Sequence, residues 1–205
     1  DPTRRNPAVL MLDGRGGTPG TAMKITQWNE TAEREGFAVV YPEATRVDPA
    51  GPLHFLTNPQ MWNAGPGGSD TERPEVDDLT FLRAVVDDVI GRARIDRTRI
   101  YMTGFSNGAA MTYRYALNFP GTLAAIAVAG HLRTRDRELV EPIPMISFFG
   151  RLDPLSPYDG GTVDLPWGVR EVRPAAVESV YLWAGLCGHA ADAGRWETEP
   201  GLSRL

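Results

Sequence analysis

Tyr101-Met102-Thr103-Gly104-Phe105-Ser106-Asn107-Gly108-Ala109-Ala110-Met111 decides the reading of this chain. Arg99 to Thr103 is rich in β-forming residues, and Ala109 to Phe119 has no helix breaker before Pro120. Between them stands Gly-x-Ser-x-Gly. A serine between a strand end and a helix start sits in a sharp turn that lifts its hydroxyl above the sheet, with glycines two residues either side to avoid collision. Ser106 is therefore the candidate nucleophile. The helix opening at Asn107 turns its first backbone N–H groups toward the same point, which suits an oxyanion.

Outward from this centre, apolar runs alternate with amphipathic ones. Ala8 to Leu12 reads as a buried strand entering the glycine-rich loop Asp13-Gly14-Arg15-Gly16-Gly17. Thr21 to Glu35 reads as a helix closed by Gly36, and Phe37 to Tyr41 as a second strand, joined to the first by a right-handed crossover. Val76 to Arg94 carries the clearest helical stripe, with Asp77 and Asp78 suiting the positive end of that helix. Leu123 to Ala129 and Ile143 to Phe149 are further strands, a turn-rich loop runs to Arg173, and a helix follows from Pro174 to Gly188. This alternation predicts one α/β domain over 1–205, built on a parallel sheet of at least five strands flanked by helices.

Composition narrows the partners. With 21 basic and 26 acidic residues the formal net charge is −5, and no basic run exceeds Arg4-Arg5, which argues against a nucleic-acid partner. No apolar stretch reaches the roughly 18 residues needed to cross a bilayer. The single cysteine, Cys187, rules out an intrachain disulfide and a multi-cysteine metal site.

In a parallel sheet, ligands bind beyond the carboxyl ends of the strands. Asp13–Gly17, Ser106 and Asp153 fall there. The glycine loop lacks the endings of a phosphate cradle, but it can bring a backbone N–H, that of Arg15, into an oxyanion hole with that of Asn107. Asp153 stands in the chain order expected of a triad acid; as an Asp-Pro residue it also reads as a turn former. The long stretch from Glu43 to Glu75 has little periodicity yet keeps Phe55, Met61, Trp62 and Asn63, and so reads as a substrate-facing loop, the alternative being that Trp62 only pins the loop to the core.

The base is open among three histidines. Only His189 follows Asp153, but a helix running back from the active-site end would leave it roughly 20 Å from Ser106. His131 follows a strand end and His54 lies in the long loop; each also reads as an ordinary loop or surface histidine.

These residues resemble the secreted α/β-hydrolase esterases that include polyhydroxybutyrate depolymerases, feruloyl esterases and acetylxylan esterases. The resemblance rests on Asp13 to Thr18, Trp62-Asn63-Ala64-Gly65, Val76-Asp77-Asp78 with Phe81-Leu82-Arg83, Ile100 to Gly108, Ala127 to Gly130, and Asp153-Pro154 leading to Pro157 to Gly161. It implies hydrolysis of polyester or of feruloyl and acetyl polysaccharide esters, with Ser106 as nucleophile, Asp153 as triad acid, Arg15 and Asn107 as oxyanion donors and Trp62 as a substrate contact. Neither a metal nor an organic cofactor is implied. The family usually has His-Gly at Asp13-Gly14 and at Phe149-Gly150, and it has more strands before Ala8 and a catalytic-histidine segment after Leu205. The chain is thus expected to be cut at both ends, to expose a sheet edge that favours self-association, and to be a weaker esterase than a longer version. A catalytically silent ester- or polysaccharide-binding fragment is the rival expectation.

Overall fold

Strand β1 (Asn6–Leu12) is buried at every residue from Ala8 to Leu12, as a strand covered on both faces must be; this is why its sequence is a continuous apolar run rather than an alternation. The computed structural model describes residues 5–66, 72–132, 141–189, 197–199 and 202–204. In it β1 lies between β2 (Ala38–Val40) and β3 (Ile95–Phe105), and the sheet continues through β4 (Ala125–Ala129) to β5 (Met145–Ser147). All neighbouring pairs are parallel. The order β2-β1-β3-β4-β5 makes β3 the middle strand, and the expected five-stranded parallel sheet is present.

Register matters most for the site. Leu12 of β1 pairs with Gly104 of β3, and Phe105 pairs with Ala129 of β4. The next residues along the three strands, Asp13, Ser106 and Gly130, therefore emerge at one level of the carboxyl edge. Below them the core is formed by Leu10, Leu12, Met102 and Val128 with Met111, Tyr113 and Tyr115 of α4 (Asn107–Asn118). Burial in this core pushes the Tyr113 hydroxyl up to about 12. On α3 (Asp78–Arg92), Leu82 and Val86 join the same core, and Asp77 caps the helix by accepting from the Thr80 N–H at 3.0 Å.

Two local expectations are corrected. The helix expected over Thr21–Glu35 is two helices, α1 (Pro19–Thr26) and α2 (Trp28–Glu35). They break at Gln27, which is left-handed at φ 55; the turn sets Trp28 edge-on to Phe37 at 5.7 Å. The loop expected up to Arg173 contains an antiparallel hairpin, β6 (Gly161–Asp164) and β7 (Arg170–Arg173). Its strands are only four residues each, Gly-Thr-Val-Asp and Arg-Glu-Val-Arg, so they lack an apolar alternation to read. Then comes α5 (Ala176–Leu186), and β8 (Glu197–Glu199) pairs with β9 (Leu202–Arg204). No helix among the described residues is long and apolar enough to cross a membrane.

Beyond β4, β5 has no second strand neighbour among the described residues, and Ile146 and Phe148 are 60% and 56% exposed there. A sheet edge that stays unpaired and apolar templates association. Light scattering should show an apparent mass that rises with concentration, and Ile146→Lys should abolish the rise.

Candidate active site

Ser106 is the hinge between β3 and α4, with φ 53 and ψ −114. A non-glycine residue in such a conformation carries about 1–3 kcal/mol of strain and persists only where its surroundings hold it. Here they do. The Ser106 N–H donates to Ala129 O at 2.8 Å, and Ser106 O accepts from the Ala110 N–H at 3.1 Å. A Cβ on Gly104 would strike the Gly108 carbonyl, and one on Gly108 would strike the carbonyls of Leu12 and Asp13. Both obstacles are backbone, which has little room to yield, so the two glycines are sterically required. The serine itself stays exposed while residues 107–113 are buried behind it.

Each expected oxyanion donor is placed by a separate device. Asn107 is the first residue of α4, where a backbone N–H has no acceptor within the helix. Its side chain clamps the backbone of Trp62: Oδ1 accepts from the Trp62 N–H at 2.7 Å and Nδ2 donates to Trp62 O at 3.1 Å. Gly14 lies against the elbow, since a Cβ there would stand 3.3 Å from Ser106 Cβ. Arg15, next in line, is gripped from outside. Its guanidinium donates to Met61 Sδ at 2.8 Å and to Leu56 O at 3.3 Å, and it lies 4.3 Å from the centre of the Trp167 ring at the β6–β7 turn. The Gly16 N–H donates to Gln60 O at 2.8 Å. The glycine loop and the elbow are thus brought together.

Trp62 is corrected. It is fully buried, stacks on Phe81 at 6.4 Å and donates from Nε1 to Asp13 O at 3.1 Å. With no exposed surface the indole offers a substrate nothing to touch; it fastens the end of β1 from behind. Asn63 continues the anchorage. Its N–H donates to the buried Asp78 Oδ2 at 2.6 Å, and its Nδ2 donates to Arg73 O and Val76 O, both at 2.7 Å. Burial raises the Asp78 carboxyl above its usual range, against the opposing pull of that hydrogen bond. These anchors were missed because a polar loop residue gives no periodic signal.

Asp153 follows β5 and is half-buried, with Oδ1 accepting from the N–H groups of Leu155 at 2.8 Å and Ser156 at 3.0 Å. The turn-forming and acid readings of this residue are compatible, because one oxygen closes the turn. The histidines separate clearly. His54 accepts at Nδ1 from the Thr57 N–H at 3.3 Å, inside its own turn. His131 is buried, 5.2 Å ring to ring from Phe149, and it follows Gly130, where a Cβ would approach Ser106 O to 3.3 Å. Leu132 at the carboxyl edge donates its N–H to Ser179 Oγ at 3.1 Å, while Trp183 Nε1 donates to Ile143 O, ahead of β5, at 3.2 Å. So α5 runs antiparallel to the strands and carries His189 away from Ser106.

A nucleophile elbow at the carboxyl end of the middle strand of a parallel sheet defines an α/β-hydrolase. The chain belongs to the esterase PHB depolymerase family, whose model matches residues 2–159. It is 36% identical over 203 residues to a putative esterase, NocK, of Nocardia uniformis subsp. tsuyamanensis, covering 95% of this chain and 55% of that protein. Feruloyl esterase B of Piromyces equi is 28% identical over 137 residues, 63% of this chain and 24% of its own length. The chain therefore spans about half, or less, of these relatives. Among solved structures, a phospholipase/carboxylesterase from Dyadobacter fermentans superposes with a TM-score of 0.56 at 24% identity, covering 90% of this chain and 78% of that one.

Two outcomes follow. Trp62→Ala should lower unfolding free energy by about 3–5 kcal/mol in denaturant titration, the cost of emptying a large buried site. Burial also lifts the Asp13 carboxyl from 3.8 to about 6. The folded state then holds this proton more tightly than the unfolded one, so Asp13 lowers stability as pH rises from about 4 to about 6 and adds no further change above. Asp13→Asn should remove that decline in unfolding midpoints measured across the same range.

Proposed function

We propose that the protein hydrolyses carboxylic esters through an acyl-Ser106 intermediate, residues 1–205 acting as one catalytic domain. The observation that carries this reading is the exposed, strained Ser106 between β3 and α4. Ser106 Oγ attacks the ester carbonyl and yields its proton to a base. The carbonyl oxygen takes up negative charge beside the N–H groups of Arg15 and Asn107. Collapse expels the alcohol, which recovers the proton, and water then releases the acid by the same steps. Asp153 serves as the acid of the triad, and His131 is the base to test, because it directly follows Gly130, whose backbone lies against Ser106.

Polyester and feruloyl or acetyl polysaccharide esters are the proposed substrates. The names of the relatives support this: beside the feruloyl esterase stands acetylxylan esterase A of Emericella nidulans, 30% identical over 127 residues, 61% of this chain and 38% of that protein. Action outside the cell belongs to the same reading, because such polymers must be cut before a cell can import them.

A fluorophosphonate probe tests the proposal. Labelling should map to the Ser106 peptide, vanish in Ser106→Ala, and slow by several powers of ten in His131→Ala, as when a triad member is lost. Absence of labelling at Ser106 in the parent protein would favour a silent, ester-binding fold.

A further inference from the structure

Beside the glycine loop lies a cavity of about 450 Å³, a size that accepts a small organic ligand. Residues 43–60 form most of it and Thr18 closes one side. Ala44 and Gln60 are buried, whereas Glu43, Thr45, Pro49 and Leu53 are exposed.

Its chemistry is mixed. Glu43 and Arg46 carry opposite charges into one cavity, yet no ion pair joins them among the described residues. The Glu43 Oε1 accepts from Gln60 Nε2 at 2.7 Å, and Arg46 Nη1 donates to Gly51 O at 2.7 Å. Each head group keeps further hydrogen-bonding capacity: the second carboxylate oxygen on one, and Nε with Nη2 on the other. Gln60 Nε2 also donates to Ala44 O at 3.0 Å. With two acceptors on the nitrogen side the amide orientation is settled, and Gln60 Oε1 is left buried without a hydrogen-bond partner. Thr45 Oγ1 accepts from Arg73 Nη1 at 3.1 Å, so its hydroxyl hydrogen is directed elsewhere.

An anion would meet Glu43, and a cation would meet Arg46. A neutral group offering donors and acceptors side by side satisfies both, as adjacent hydroxyls do: one donates to the carboxylate, and its neighbour accepts from the guanidinium. Pro49 and Leu53 supply apolar surface for C–H groups. We propose that this cavity is a binding site for a neutral polyhydroxylated ring, a sugar unit, held between Glu43 and Arg46. The site is joined to the oxyanion loop through the Gly16 N–H to Gln60 O bond. It needs no chemistry at Ser106, so it stands or falls separately from the esterase reading.

The test is titration of the whole chain with methyl β-D-xylopyranoside, followed by NMR chemical-shift changes. Saturable shifts should centre on residues 43–60 and persist in Ser106→Ala. Glu43→Gln and Arg46→Gln should each weaken binding roughly tenfold, the usual effect of losing a hydrogen bond to a charged group. Leu53→Trp, which fills the exposed rim without touching either charge, should abolish it. Sodium acetate and ethylammonium chloride should not compete. No saturable binding, shifts confined to the Ser106 side, unchanged affinity in folded Glu43→Gln and Arg46→Gln proteins, or competition by either ion would overturn the proposal.

Discussion

The rest of the structure depends on a backbone-to-backbone contact. Gly108 at the start of α4 lies so close to the carbonyls of Leu12 and Asp13 that no side chain fits between them, and Gly104 meets the Gly108 carbonyl in the same way. That approach sets α4 across the ends of β1 and β3. It leaves Ser106 no ordinary backbone conformation, and it carries the first N–H groups of the helix to the glycine loop. Positional precision at the site is thus a steric consequence of two missing Cβ atoms.

The long loop transmits the same constraint outward. Its described residues are held without periodic secondary structure because buried polar side chains do the work that a strand ladder does elsewhere. Arg73 is 7% exposed and donates to the carbonyls of Thr45, Met61 and Arg46 at 3.0, 2.9 and 2.9 Å. Asn107 locks Trp62 to the elbow, and Trp62 locks the end of β1. A cut in this chain of contacts would leave buried donors or acceptors unpaired, at about 1–3 kcal/mol each.

Much of this was legible in the sequence for physical reasons. Strand–helix alternation and continuous apolar runs are the signature of a parallel sheet, and α4 begins and ends where Gly-x-Ser-x-Gly and Pro120 place it. What was not legible is tertiary. Trp62 in a loop looks the same whether it faces a ligand or a core; its indole goes inside because Asn107 grips its backbone and Phe81 waits on α3. The β6–β7 hairpin has no apolar alternation, and what places its Trp167 is the guanidinium of Arg15, distant in sequence. The Glu43–Arg46 cavity likewise exists only once the loop has folded over Gln60.

Ser106 is held in a conformation only glycine adopts freely, as the cost of its exposure. Denaturant unfolding of Ser106→Gly and Ser106→Ala, side by side, tests it most directly. At an unstrained position the alanine protein is the more stable by about 0.4–1 kcal/mol, because glycine gains freedom in the unfolded chain. Release of strain at Ser106 predicts the opposite order, with Ser106→Gly the more stable by about 1 kcal/mol. A Ser106→Ala protein more stable than Ser106→Gly would contradict the account.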